Sequence, residues 1–155
     1  GNRCSTEGGA IAVSGGNLFL VNSILYTNSA GVQASDIALT GGTITGTWCR
    51  LDGTTPSNHV YDAAGGLTLL NIITTDPLFV GGTDVHLKSR GGHWDTATQS
   101  FIRDPVTSPC VDAGDPTSDY SRELISNGRR INLGAYGNTP EASWRPLTGF
   151  IIEIR

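Results

Sequence analysis

Methionine is absent from this 155-residue chain, and lysine occurs once, at Lys88. Charged residues make up 15% of it and aromatic residues 7%. Scarce Lys, Met and Glu remove the side chains that favour helices, so a helical bundle is excluded. No apolar run approaches the ~20 residues needed to span a bilayer as a helix. Ten Lys and Arg stand against 14 Asp and Glu, a net charge of −4 with a pI near 5.2. That balance lacks the basic footprint of a nucleic-acid binder. The start, Gly1-Asn2-Arg3-Cys4, has no charged n-region and no apolar h-region. The chain therefore reads as a processed piece from which a signal peptide has been removed. Absent as well are an H-E-x-x-H pair, a Gly-x-Ser-x-Gly elbow, a Walker loop and a dinucleotide glycine motif.

Cysteine is sparse and odd in number: Cys4, Cys49 and Cys110. At most one intrachain disulfide can form. The spacings do not suit a zinc site, which wants close Cys or His pairs. Two readings stay open. The thiols are buried small hydrophobes, or Cys4 and Cys49 form one staple near the N-terminus.

What is plentiful is glycine, 21 residues, together with Thr, Ser and Asn. This is the composition of strands and turns. Ile11-Ala12-Val13-Ser14-Gly15-Gly16-Asn17-Leu18 is matched 26 residues later by Ile37-Ala38-Leu39-Thr40-Gly41-Gly42-Thr43-Ile44. A weaker copy, Gly65-Gly66-Leu67-Thr68-Leu69, follows 24 residues on. Each copy is an alternating strand, a Gly-Gly corner and a second strand. A period in the mid-twenties predicts an all-β chain, a short right-handed parallel β-helix whose coils stack on one another. Ile11, Val13 and Leu18 are then expected above Ile37, Leu39 and Ile44. Gly15, Gly41 and Gly65 are expected to stack at one corner.

Beyond residue 75 the pattern loosens. Leu78-Phe79-Val80 is a short apolar strand after Asp76-Pro77. Pro105, Pro109 and Pro116 mark a loop-rich stretch. Residues 1–137 are read as coils and cap, 138–149 as a proline-containing linker, and 150–155 as a C-terminal extension strand.

Four blocks carry a resemblance: Asp76-Pro77-Leu78-Phe79, His86-Leu87-Lys88-Ser89, Ser108-Pro109-Cys110-Val111-Asp112-Ala113-Gly114-Asp115 and Asn132-Leu133-Gly134-Ala135-Tyr136. In this order the chain resembles the C-terminal end of secreted bacterial right-handed parallel β-helix repeat proteins, often of the choice-of-anchor Q type. The resemblance implies export and an extracellular or cell-surface location. It implies no single activity.

Three residue sets invite a chemical reading. Asp84, His86, Lys88 and Arg90 alternate and so share one strand face, which suits recognition of an acidic sugar or base catalysis by Lys88 or His86. The plainer reading is a solvated face that guards against aggregation. Asp112, Asp115 and Asp119 lie in a Gly/Pro/Ser loop whose oxygens are candidates for Ca²⁺. The plainer reading is carboxylates that cap local turns. No other cofactor is indicated. Trp48, Trp94 and Trp144 are core or interface residues, or a sugar platform.

Phe150, Ile152 and Ile154 form one apolar strand face, with Ile151 on the other. They suit strand addition to a neighbouring subunit. The sequence is read, on this basis, as a non-catalytic extracellular structural protein whose partner is itself, assembling head-to-tail into a filament or surface layer. The alternative is a carbohydrate-binding or polysaccharide-cleaving module, a lyase or hydrolase, acting on cell-surface polysaccharide.

Overall fold

The computed structural model describes residues 1–54, 58–124 and 127–146. Within them run ten strands: β1 (Arg3–Cys4), β2 (Ile11–Val21), β3 (Ser29–Ala30), β4 (Ile37–Arg50), β5 (Val60–Asp62), β6 (Leu67–Ile73), β7 (Phe79–Gly81), β8 (Asp84–Leu87), β9 (His93–Asp95) and β10 (Ser100–Ile102).

The largest sheet has four strands. β4 lies in the middle, with β2 parallel to it on one side and β5, then β6, parallel to it on the other. The register sets Ile11 beside Ile37 and Leu18 beside Ile44, the 26-residue offset of the sequence. Ile37 in turn faces Val60, and Ile44 faces Leu67. Alternation explains which side chains turn inward. Leu18, Ile44 and Leu67 form one inner row, and Ile11, Ile37 and Val60 another. Apart from Val60, which is buried beside Ile37, these residues make the main core together with Leu25, Leu39 and Leu51.

The glycine corner is shifted from expectation. A bulge in β2 breaks the register between Ser14 and Asn17. The glycines that meet are therefore Gly16, Gly42 and Gly66: a Cβ on Gly42 would overlap the Gly16 carbonyl oxygen, and one on Gly66 the Gly42 carbonyl oxygen. Only residues without a Cβ let backbones approach so closely. Farther along the strands a second aligned set, Asn22, Trp48 and Asn71, adopts left-handed backbone with φ of 53°, 52° and 56°. Asn tolerates that region; Trp is strained there. The Arg130 guanidinium lies 4.3 Å from the Trp48 ring centroid, a stacking worth about 0.5–2 kcal/mol that offsets the strain.

The expected parallel β-helix is not what the structure shows. Besides the four-stranded sheet there are, among the described residues, three two-stranded ones, and none is closed or solenoid-like. β7–β8 and β9–β10 pair antiparallel. The physical reason lies after Ile73. Pro77 has no backbone donor to offer a ladder. Gly81 and Gly82 take φ of 125° and 62°, which turns the chain back on itself. The apolar alternation that would seat another strand on β6 then lapses.

The residues after β10 form a loop region around a second, smaller core of Leu87, Cys110 and Leu133, packed against Ile24, Ile73 and Phe79. The stretch read as a linker is part of this body up to residue 146. Ala142 and Ser143 are buried, the Ser143 hydroxyl donates to Leu87 O, and Trp144 bridges to Gly92. The expected strand of Phe150, Ile151, Ile152 and Ile154 lies outside the described residues.

Candidate functional site

The four-stranded sheet ends in two free edges. β2 is paired only to β4, and among the described residues no strand lies on its other side; the same holds for β6. Burial falls away toward both edges. Ile37, Leu39 and Ile44 on the middle strand are fully buried, whereas Ile11, Val13, Leu18 and Leu20 on β2 and Leu67 and Leu69 on β6 are partly exposed. The outer face adds Phe19 at 75% exposure, Val21, and Leu70 at 55%. Unpaired backbone beside half-covered apolar rows is a template for another strand.

A cleft of about 580 Å³ opens on a different side, between the Tyr26–Asn28 segment and the β7–β8 hairpin. Tyr26, Asp76, Phe79, Asp84 and Lys88 line it. Tyr26 is fixed from two directions: the Arg50 guanidinium sits 4.3 Å over its ring, and Phe79 meets it edge-on at 5.9 Å. Desolvation pushes the Tyr26 phenol up, and the neighbouring Asp76 charge adds to the rise. Asp76 accepts from Leu78 N–H at 2.8 Å, and Asp84 from the His86 ring at 2.6 Å.

Behind the cleft the turns are tied by a polar knot. Asp36, fully buried, accepts from the Asn28 side chain at 2.9 Å and from Asp52 N–H at 2.7 Å. Asp52 accepts from Thr27 N–H and pairs with Arg50. Arg50 also donates to Leu25 O and Thr75 O. Burial raises the Asp36 carboxyl, while the bonds from Asn28 and Asp52 pull the other way. Ligand-capable atoms of Asp36, Asp52 and His59 lie within 4.8 Å of one another. They could hold a cation, yet every Asp36 and Asp52 oxygen already has a donor and Arg50 supplies positive charge.

The residues singled out from the sequence are distributed differently. His86, on β8, is fully buried rather than on an open face. Its ring stacks on Tyr136 at 3.5 Å, with Asp84 at Nδ1 and Glu141 3.5 Å from Nε2. Val85 takes the outward position, at 41% exposure. Lys88 lines the cleft beside Asp84, while Arg90 points elsewhere and donates to Pro105 O. Asp84 and His86 do share a side, but it turns inward while Val85 faces solvent, and Lys88 and Arg90 lie beyond the end of β8.

Asp112, Asp115 and Asp119 are not gathered either. Asp112 accepts from Gly128 N–H, Asp115 from Thr117 and Asp119 from Ser121. Burial raises Asp112; the local bonds to Thr117 and Ser121 lower Asp115 and Asp119. Cys4, Cys49 and Cys110 are all free thiols, the last two buried. Burial pushes the Cys110 thiol up to about 11. Trp48 lies under Arg130, and Trp94 and Trp144 both pack on Phe101.

Residues 51–114 match a family model described as "Disaggregatase related". The match takes in the Asp76–Phe79 and His86–Ser89 blocks and most of Ser108–Asp115. It does not extend to a choice-of-anchor Q family, and no enzymatic family is evident. No curated protein and no solved structure matches the chain.

Proposed function

We propose that this chain is a non-catalytic structural protein of the cell exterior that associates with copies of itself through the edges of its four-stranded sheet. The observation that carries this reading is the burial gradient, with β4 sealed and β2 and β6 left half-covered and, among the described residues, unpaired on their outer sides. Covering one large apolar side chain contributes about 1.5–3 kcal/mol. An edge strand also gains backbone bonds when a neighbour is added. The exterior location rests on the resemblance of the C-terminal blocks. Sedimentation of the purified chain over a wide concentration range, followed by electron microscopy, tests the reading. Oligomers or fibres that grow with concentration support it. A monomer throughout rejects it.

A second reading, carbohydrate binding, is favoured by the cleft. Two aromatic rings, two carboxylates and one ammonium line it. Retardation in gels containing acidic or neutral polysaccharide, relieved by Lys88→Ala, supports that reading; equal mobility with and without polysaccharide counts against it.

A further inference from the structure

Gly15 and Gly16 differ from Gly41, Gly42 and Gly66, while Gly65 shares their open space. A Cβ on Gly41 would stand 2.5 Å from Ser14 O, and one on Gly42 would overlap the Gly16 carbonyl oxygen. On Gly66 it would overlap the Gly42 carbonyl oxygen. These three need to be glycine because the backbone of the preceding strand lies against them. At Gly15 and Gly16, by contrast, nothing lies within 4 Å of the Cβ position. The Gly-Gly corner of β2 has the shape that admits a close parallel strand, and among the described residues nothing occupies it.

We infer that the occupant is the β6 edge of a second copy, bound in parallel, so that the Gly65–Gly66 corner of one subunit abuts Gly15–Gly16 of the next. This rests on the structural reading above and names its partner surface. Three observations converge on β6. It is the other free edge of the same sheet, and it carries the same Gly-Gly corner followed by an alternating apolar strand. The in-chain rows extend in register: Leu18–Ile44–Leu67 would continue into Leu18 of the next subunit, and Phe19–Thr45–Thr68 into its Phe19. The charges also match, because neither Ile11–Val21 nor Leu67–Ile73 contains an ionisable side chain. Joining the two edges desolvates no charge. Contact of unlike edges is heterologous, so it repeats without closing and builds a fibre rather than a dimer.

The test uses the full chain. Gly15→Ala adds a methyl group where the isolated subunit has open space, so its melting temperature is expected to match the parent's. In the assembly that methyl group meets the incoming backbone, and association weakens by about ten-fold or more. In a second arm, Phe19→Cys and Thr68→Cys chains, both carrying Cys4→Ser, are mixed and oxidised with diamide. Disulfide-linked 19–68 pairs are expected. If the parent associates but Gly15→Ala associates equally well, or if 19–19 pairs dominate, the β6 assignment is overturned while self-association stands. If the parent does not associate at all, the structural reading falls with it.

Discussion

Between Ile11 and Ile73 the backbone finds its partners on neighbouring strands; between Asp104 and Trp144 side chains do much of that work. In the sheet, ladders join β2, β4, β5 and β6, and apolar rows run across them. In the loop region, Asn132 accepts from Asp112 N–H through Oδ1 and donates to Ser143 O through Nδ2. Glu123 Oε1 accepts from the N–H groups of both Asn132 and Asn138. Asp104 takes Ser89 N–H and the His93 ring. The Asn22 side chain crosses between the two regions to meet Asp115 N–H and Ser118. A loop without ladders must satisfy its buried polar groups this way or lose stability. The consequence for function is asymmetric. The loop region satisfies most of its buried polar groups internally, Glu123 Oε2 and Trp144 Nε1 being exceptions among the described residues, while the sheet keeps unpaired backbone at two edges.

The largest effect should come from the middle of the sheet. Leu39→Asp, or Ile37→Asp, places an unpaired carboxylate among Val13, Leu25 and Ile44. Its cost of several kcal/mol is comparable with the total stability of about 5–15 kcal/mol of a domain this size. The thermal transition should disappear or fall far below that of the parent chain. An unchanged melt would show that β4 is not the buried strand.

Asn132→Ala probes the other kind of support. It leaves Asp112 N–H and Ser143 O without partners in a buried setting, a loss of about 2–4 kcal/mol. Proteolysis should then cut first within residues 103–146 while the sheet stays protected. Simultaneous loss of both regions would mean that they fold as one unit and that the contrast is superficial.

A smaller, pH-dependent effect separates them further. Burial raises Glu123, with only partial relief from the Asn132 and Asn138 N–H groups, and its Oε2 has no hydrogen-bond partner among the described residues. A carboxyl whose folded pKa is raised contributes stability that is complete below its unfolded pKa and is lost as pH rises through the folded value. Glu123→Gln removes that dependence. Urea melts should show the variant gaining on the parent between about pH 4 and pH 7. A constant difference across that range would mean the Glu123 carboxyl does not titrate as its burial implies.

The contrast also explains how much could be read in the sequence. The offset between the blocks at Ile11 and Ile37 appears directly as the register of β2 on β4, because alternation and a Gly-Gly corner are local signals. Extending two pairings to a helix of coils failed because each added strand depends on its own segment. Pro77 and the Gly81–Gly82 turn send that segment into a hairpin. Alternation alone does not say which face of β8 turns inward: Val85 is exposed and His86 buried. The Asp36–Asp52–Arg50 knot left no motif, since Asp36 and Asp52 stand 16 residues apart and Arg50 reaches back 25 residues to Leu25. Its one visible trace was an acidic residue set directly against the apolar block Ile37-Ala38-Leu39.

The central claim is that association belongs to the sheet edges and not to the cleft or the loop region. Amide hydrogen exchange, followed by mass spectrometry at concentrations roughly ten-fold below and above the association midpoint, addresses it most directly. The account predicts slower exchange in Ile11–Val21 and Leu67–Ile73 at the higher concentration and no change in residues 103–146. Slowing around Tyr26, Asp84 and Lys88, or across the loop region, with the two edge strands unaffected, would contradict it.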